Sequence, residues 1–291
     1  MVSKPQKVIV ILAVFVVLIA GLALAELGNI SKGSSIQTLP LNSGSELDYS
    51  ISGSVNNTTS NAPIQGYLNV SFDQFSKSGD SFMSVESCYA GGMGDIAHPS
   101  PVYNNEKPAG MLISYDRITT PLGEKSVETW FEPFNDHVMI TQIGMESSIL
   151  YQVIVSSPDY HYSISLIYAN NTNLEVYDNP LDLPQVSSLA HPSIEPTSYQ
   201  CDNGSTCCNF GLVNIRAGEN LKYTLTGNST SALFFTTEDL RMIEETGMFT
   251  YNSSISRAAG DPGSFDFQVL PGTYFYVITV GSLGSASQYW Q

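Results

Sequence analysis

Charge is scarce in this sequence. Asp, Glu, Lys and Arg together make up 13% of its 291 residues, against roughly 25% in an average soluble protein. Basic residues are scarcer still: eleven Lys and Arg face twenty-seven Asp and Glu, for a formal net charge of −16. Lys4 and Lys7 account for two of the eleven, which leaves nine past Ala25. No basic stripe interrupts the acidic field. A polyanion is repelled by such a surface, which excludes nucleic acid as a partner and argues against docking of the folded part on anionic lipid. Ser, Thr, Asn, Gln and Tyr supply the polarity instead.

Catalytic signatures are missing as well. The sequence contains no nucleophile elbow, HExxH, phosphate-cradling loop, EF-hand loop or dinucleotide fingerprint. Its Gly-rich cluster, Gly91–Asp95 (GGMGD), lacks the Lys and the strand–helix frame that a phosphate loop needs, and reads as a loop tethered near Cys88. Asp136-His137 and Asp159-x-His161 place a carboxylate near an imidazole, the pairing of a general base or a metal ligand. Both histidines fall on the polar faces of predicted strands, however, while His98 and His191 each precede a proline in irregular chain. Glu244-Glu245 on a short helix offers paired carboxylates, but the separation glycoside hydrolysis requires cannot be read from sequence. Glu238 and Asp239 are explained by the helix N-terminus they occupy. No residue is therefore assigned to catalysis, and no metal or cofactor is implied. Tyr160 and Tyr162 are candidates for lining a binding surface, since a ring with a polar tip suits one.

One long hydrophobic run is present. After Lys4 and Lys7, Val8 to Ala25 is uncharged (VIVILAVFVVLIAGLALA), and Glu26 follows. Eighteen residues make about 27 Å of helix, close to a bilayer's hydrocarbon thickness. The lysines keep residues 1–7 in the cytoplasm, so the remainder is exported. The length favours an uncleaved transmembrane anchor, although Ala23-Leu24-Ala25 also fits a signal-peptide cleavage site, which would release a secreted chain. Export agrees with eight Asn-x-Ser/Thr sequons, at Asn29, Asn56, Asn57, Asn69, Asn170, Asn203, Asn228 and Asn252, as glycosylation candidates. It agrees too with an even number of cysteines, Cys88, Cys201, Cys207 and Cys208. The expected pattern is a local bridge from Cys201 to Cys207 or Cys208 and a long one from the remaining vicinal cysteine to Cys88. The C-x5-C-C spacing lacks the paired C-x2-C of a zinc site.

Beyond a Ser/Gly-rich stalk (26–45), the pattern is all-β. Residues 46–176 read as an antiparallel, curved-sheet domain: Leu47, Tyr49 and Ile51 alternate, as do Leu68, Val70 and Phe72. Met111–Ile118 and Ser126–Phe131 flank a TTPLG turn. Tyr160–Tyr168 is a half-buried strand with Tyr162, Ile164, Leu166 and Tyr168 on one face. Between Lys77 and Gly110 the alternation fails, which predicts a long irregular excursion. Residues 177–209 form a Pro- and Cys-rich linker. Residues 210–283 form a second β domain. In it, Thr236 and Asp239 open a short helix with a capping box, Gly247 ends it, and Leu240, Ile243 and Met242 form its apolar side. Pro271-Gly272 predicts a type II turn before a central strand, GTYFYVITV. Residues 284–291 are a tail.

The A-G-E turn and the phrase G-x-F-x-F-x-x-x-P-G-T-Y-x-Y-V make this last region resemble small extracytoplasmic β-sandwich modules of the Golgi-dynamics (GOLD) and pre-peptidase C-terminal type. The resemblance implies a β-sandwich used for stability, cargo contact or assembly, without an active site. The expectation for the whole chain is a cell-surface or envelope protein, tethered through its N-terminal helix, that binds a protein or glycan partner or contributes structure. The rivals are a carrier of an apolar ligand inside the first sheet and an extracytoplasmic hydrolase. N-terminal sequencing of the membrane-associated protein tests the export reading: residues upstream of Lys7 are expected to persist. A mature chain starting at Glu26 would replace the anchor by a cleaved signal.

Overall fold

The structure, a computed structural model, describes residues 40–57, 60–74, 82–93, 96–103, 106–180, 182–186, 197–200, 206–281 and 284–290. The hydrophobic run at 8–25 lies outside these residues, and no helix among those described is long and apolar enough to cross a membrane. Residues 39–291 belong to one compact unit.

The architecture is all-β. Eight strands, β1 (Leu41–Asn57), β2 (Ser60–Gln74), β3 (Phe82–Gly91), β4 (Met111–Thr120), β5 (Gly123–Pro133), β6 (Val138–Gly144), β7 (Leu150–Ser156) and β8 (Tyr160–Thr172), form a single antiparallel sheet in the order β3-β2-β1-β8-β7-β6-β5-β4. Downstream, β10 (Cys207–Ile215), β12 (Ser231–Thr236) and β14 (Gly272–Val280) form a three-stranded sheet in the order β10-β14-β12. A four-stranded sheet, β13-β11-β15-β9, holds β9 (Thr197–Gln200), β11 (Asn220–Thr226), β13 (Gly263–Gln268) and β15 (Ser285–Trp290). GTYFYVITV is thus the central strand of its sheet, as its uninterrupted hydrophobicity requires.

One helix, α1 (Thr237–Thr246), follows β12 directly. Thr236 is its N-cap, in a reciprocal capping box with Asp239, and Gly247 closes it in the left-handed conformation at φ 71°. Leu240 and Ile243 are buried, whereas Met242 is 37% exposed and stands outside the apolar side expected for it.

The large sheet has two differently used faces. Its inner face carries Leu47, Tyr49, Ile51, Leu68, Val70, Tyr151, Val153, Tyr162 and Ile164 in one buried cluster. The chain leaving β8 is pinned at the edge of that cluster. The buried Lys125 ammonium donates to the carbonyls of Leu174, Glu175 and Tyr177 at 3.1, 3.3 and 2.9 Å. Buried Asp178 accepts from the Glu146 and Ser147 amides and the Tyr151 hydroxyl. Gly144 is required there, because a Cβ would come within 2.2 Å of the Asp178 carboxylate.

The structure departs from the sequence reading where alternation carries no signal. The excursion expected at 77–110 contains strand β3, whose residues from Ser84 to Tyr89 are exposed on both faces, so no apolar period marks it. The stalk expected to reach residue 45 gives way to β1 at Leu41. Within the expected linker, Thr197–Gln200 forms β9 and Cys207–Asn209 opens β10, and the expected tail forms β15. Tyr168 is 50% exposed rather than buried with Leu166: the β1–β8 register shifts between Asp48 and Tyr49, which turns Tyr168 to the outer face opposite Asp48. Gly272 keeps out of the left-handed region, so Pro271-Gly272 is not the type II turn expected. It links β13 to β14, which lie in different sheets, and a hairpin turn has no place there.

A third cluster joins the two regions. Phe131, Val138, Ile140 and Ile154, from the outer face of β5–β7, pack against Phe235, Leu240, Ile243, Phe275 and Val277. Phe131 lies 5.4 Å from Phe235 and 6.2 Å from Phe275, centroid to centroid. Tilted and edge-on aromatic pairs of this kind add to the area they bury. Phe235→Ala is expected to cost about 3–5 kcal/mol, and Met242→Ala on the exposed side of α1 about 0.5 kcal/mol or less. Urea denaturation of both variants checks this, and equal losses would remove the seam as the principal contact.

Candidate functional site

At one end the seam opens into a cleft of about 200 Å³. Phe134 and His137, from the turn between β5 and β6, and Pro158, from the turn between β7 and β8, form one wall. Leu233, Phe235 and Val277 form the other, and Phe249 and Tyr251, on the chain beyond α1, close the side. The rings are set edge to face: Phe235 lies 6.2 Å from Phe249 and 6.4 Å from Tyr251. The two regions thus each supply half of a mainly apolar, aromatic cleft. Its volume falls below the roughly 300–1,000 Å³ of a typical small-molecule pocket and suits one large side chain.

His137, with Asn135 and Asp136, supplies the polar groups of this wall. Its ring stacks on Phe134 at 4.7 Å and its Nδ1 lies 2.8 Å from Asp136 Oδ1. The side chain is 11% exposed and Nε2 is sealed without a hydrogen-bond partner among the described residues, while the Asp136 carboxylate is 75% exposed. The Asp–His pair read from the sequence is therefore real, but among the described residues no hydroxyl or thiol bonds its distal nitrogen. His161 is placed elsewhere, against the α1 C-cap, where a Cβ on Gly247 would come within 2.8 Å of its ring. His98 lies 3.9 Å from Glu86, and His191 is outside the described residues. Tyr162 is buried and donates to the Ala97 carbonyl at 2.8 Å, so it packs rather than lines a surface, with Tyr160 stacked on it at 6.0 Å. Of the Gly91–Asp95 cluster, Gly91 ends β3 and Gly92 takes φ 96°, while Gly94 and Asp95 are not described. Among the described residues no cluster of three or more His, Cys, Asp or Glu is arranged to hold a metal.

A smaller recess of about 180 Å³ lies between β4 and α1, lined by Ile113, Ser114, Leu240, Glu244 and Phe275. Gln142 Nε2 donates to Glu244 Oε1 at 2.7 Å, while Gln142 Oε1 is buried without a partner among the described residues. Burial, then the nearby Asp116 carboxylate, pushes the Glu244 carboxyl above its usual range. Asp116 itself accepts from Ser114 and Thr129. Glu245 and Glu238 instead share Arg241 at the surface, and Asp239 caps the helix. The four acidic residues of α1 are thus separated by role.

Cys207 is disulfide-bonded, while Cys201 and the sequons at Asn29 and Asn203 lie outside the described residues. The long bridge to Cys88 expected from the sequence is not formed: Cys88 and Cys208 are free thiols. Cys88 is exposed on the edge strand, and Cys208 is half-buried with Sγ 3.9 Å from the Pro133 carbonyl. Burial pushes the Cys208 thiol up to about 11. Of the remaining sequons, Asn170 and Asn228 are exposed, Asn56 and Asn252 are half-buried and accept hydrogen bonds from Ser54 and Ser254, and Asn69 donates to Asp48. Asn57 closes β1.

The raised Glu244 carboxyl sets a pH dependence. A folded-state pKa above the unfolded value means the folded protein binds more protons, so this group's stabilisation is complete below about 4.5 and is lost as pH rises through the raised value. Glu244→Gln removes that contribution and gives the buried Gln142 oxygen a donor. The variant is expected to gain about 1 kcal/mol at pH 7.5 and to show a shallower stability slope down to pH 5, with Glu132, also raised by burial, keeping part of the slope. Chemical denaturation across that range checks both, and a destabilised variant with an unchanged slope would refute the account.

No family model matches the chain, and no curated protein matches it. Among solved structures, a chain of the Pseudomonas aeruginosa MucA/MucB complex aligns over 85% of this chain and 90% of its own, at 7% identity and a TM-score of 0.24. A structure of MucB in complex with MucA(peri) aligns over 85% and 88%, at 7% identity and a TM-score of 0.22. A superposition of that quality carries no argument about what this chain does.

Proposed function

We propose that the chain is an exported, membrane-tethered module of the cell surface or envelope that binds a protein partner without catalysis, and that the aromatic cleft at the seam receives an apolar side chain of that partner. The cleft carries this reading. It is preformed and lined from both β regions, it is sized for a side chain, and its imidazole Nε2 has no hydrogen-bond partner among the described residues. Aromatic anchors seated in such recesses dominate many protein interfaces. The inner curve of the large sheet is occupied by buried Tyr49, Tyr151 and Tyr162, which weighs against a carrier. The two sheets built from β9 to β15 share one buried cluster through Val213, Tyr223, Phe234 and Ile278, which supports the likeness to GOLD and pre-peptidase modules, and the run at 8–25 supplies the tether in this reading.

The test is site-specific photocrosslinking in the cells that produce the protein. A benzophenone side chain at position 249, in the cleft, is expected to capture a discrete protein, and the same group at position 242, on the exposed side of α1, is not. Ser231→Trp, at the cleft rim, is expected to abolish the adduct at 249. Adducts of equal intensity at both positions, or none at 249, would overturn the assignment.

A further inference from the structure

The outer face of the large sheet is divided. Its β5–β7 half is apolar and covered by the downstream region, while its β3-β2-β1-β8 half is uncovered among the described residues. One row of cross-strand neighbours crosses the whole sheet, Tyr89–Tyr67–Ser50–Ser165–Gln152–Gln142–Thr129–Ser114. It begins with tyrosines 59% and 50% exposed, and toward its other end Gln142 and Thr129 are buried, Gln142 against Glu244 of α1. Directly opposed residues share a face, so the adjacent rows are also defined. Ser87, Asn69, Asp48 and Tyr168 lie on one side, with Gln65, Ser52 and Ser163 on the other.

We infer that this open half is a binding platform for a neutral polysaccharide, a function beyond the cleft. Three observations carry it. First, Tyr67, Tyr89 and Tyr168 are each at least half exposed on one face of the sheet, and the Tyr67 and Tyr89 rings are 6.1 Å apart and inclined by 32°. Exposed rings grouped on one face are not scattered surface residues, and a ring with a polar tip stacks on the C–H face of a pyranose while its hydroxyl stays hydrated. Second, the rings are bordered by hydroxyl, amide and carboxylate groups: Ser50, Ser52, Ser163 and Ser165, and an Asp48 carboxylate held by the Asn69 amide. These are the complementary donors and acceptors of sugar hydroxyls. Third, these rows contain no Lys or Arg, and their charged member is Asp48, within a chain of net charge −16. An anionic glycan, a nucleic acid or an acidic membrane is repelled, whereas a neutral polymer is not. Strands about 4.8 Å apart, with facing residues about 6.8 Å apart along each, make these rows a surface on the order of 14 Å each way, long enough for a short oligosaccharide.

The platform is tested with full-length protein in detergent, by retention on insoluble chitin and cellulose and by titration with chitohexaose and cellohexaose. Retention on at least one polymer is expected. Tyr67→Ala and Tyr89→Ala are each expected to weaken binding of its hexasaccharide about tenfold, the double variant to abolish retention, and Met242→Ala to leave it unchanged. Both tyrosines are exposed near the sheet edge, and thermal denaturation of each variant verifies that the fold is kept. No retention on either polymer, retention unaffected by the double variant, or self-association of the wild type that the double variant abolishes would overturn the assignment, the last by giving the face to a second copy. Crosslinking at the cleft succeeds or fails independently of these results.

Discussion

The packing of Phe131 against Phe235 and Phe275 decides how the rest of the molecule is used. An eight-stranded antiparallel sheet has two faces to account for, and a single buried cluster on the inner face leaves the outer one to water. Burying the outer face of β5–β7 beneath β12, β14 and α1 converts half of it into core. That placement creates the aromatic cleft and the Glu244 recess, and among the described residues it leaves the β3-β2-β1-β8 half open. Both candidate surfaces are therefore consequences of where the seam stops.

Polar groups at the seam show what apolar packing cannot absorb. Gln142 and Thr129 belong to the same cross-strand row as the exposed tyrosines, yet both are buried. Gln142 meets Glu244, but one amide gives its oxygen and nitrogen different fates, and among the described residues the oxygen is left without a donor. In the cleft His137 is similar, with Nδ1 engaged by Asp136 and Nε2 sealed. An unpartnered buried polar atom costs about 1–3 kcal/mol, so neither site is a simple optimum for stability.

Much of this was legible in the residues. The capping box at Thr236 and Asp239 and the stop at Gly247 depend on local chemistry alone, and the structure places α1 between them. Strands with one wet face were also readable, because Tyr162, Ile164 and Leu166 report their own environment. What escaped was set by partners distant in sequence. β3 is wet on both faces, so its period is silent. The outward turn of Tyr168 follows from a bulge against β1, and the Pro271-Gly272 corner looks like a hairpin turn until β13 and β14 are known to join different sheets. The even number of cysteines pairs Cys88 with the vicinal cluster, yet Cys88 is a free, exposed thiol held in place by the β2–β3 ladder. The cleft could not be foreseen at all. Phe134 and Phe249 are more than a hundred residues apart, and each looks like an ordinary aromatic near a turn.

The pattern along each strand nonetheless encodes its distance from the seam. VMITQIG of β6 is buried at every position, and LYQVIVS of β7 at all but one, which an antiparallel strand with a solvated face would not permit. β8, the next strand outward, returns to alternation over Tyr160–Leu166, and β3 at the far edge has lost it. Read in spatial order, the strands pass from dry on both sides, through dry on one, to wet on both. A second layer over β5–β7 was therefore implied by two strands too apolar for a two-layer sheet with water on one side. Serine and tyrosine, rather than valine and isoleucine, mark where that layer ends and where the sheet is left free to meet something other than itself.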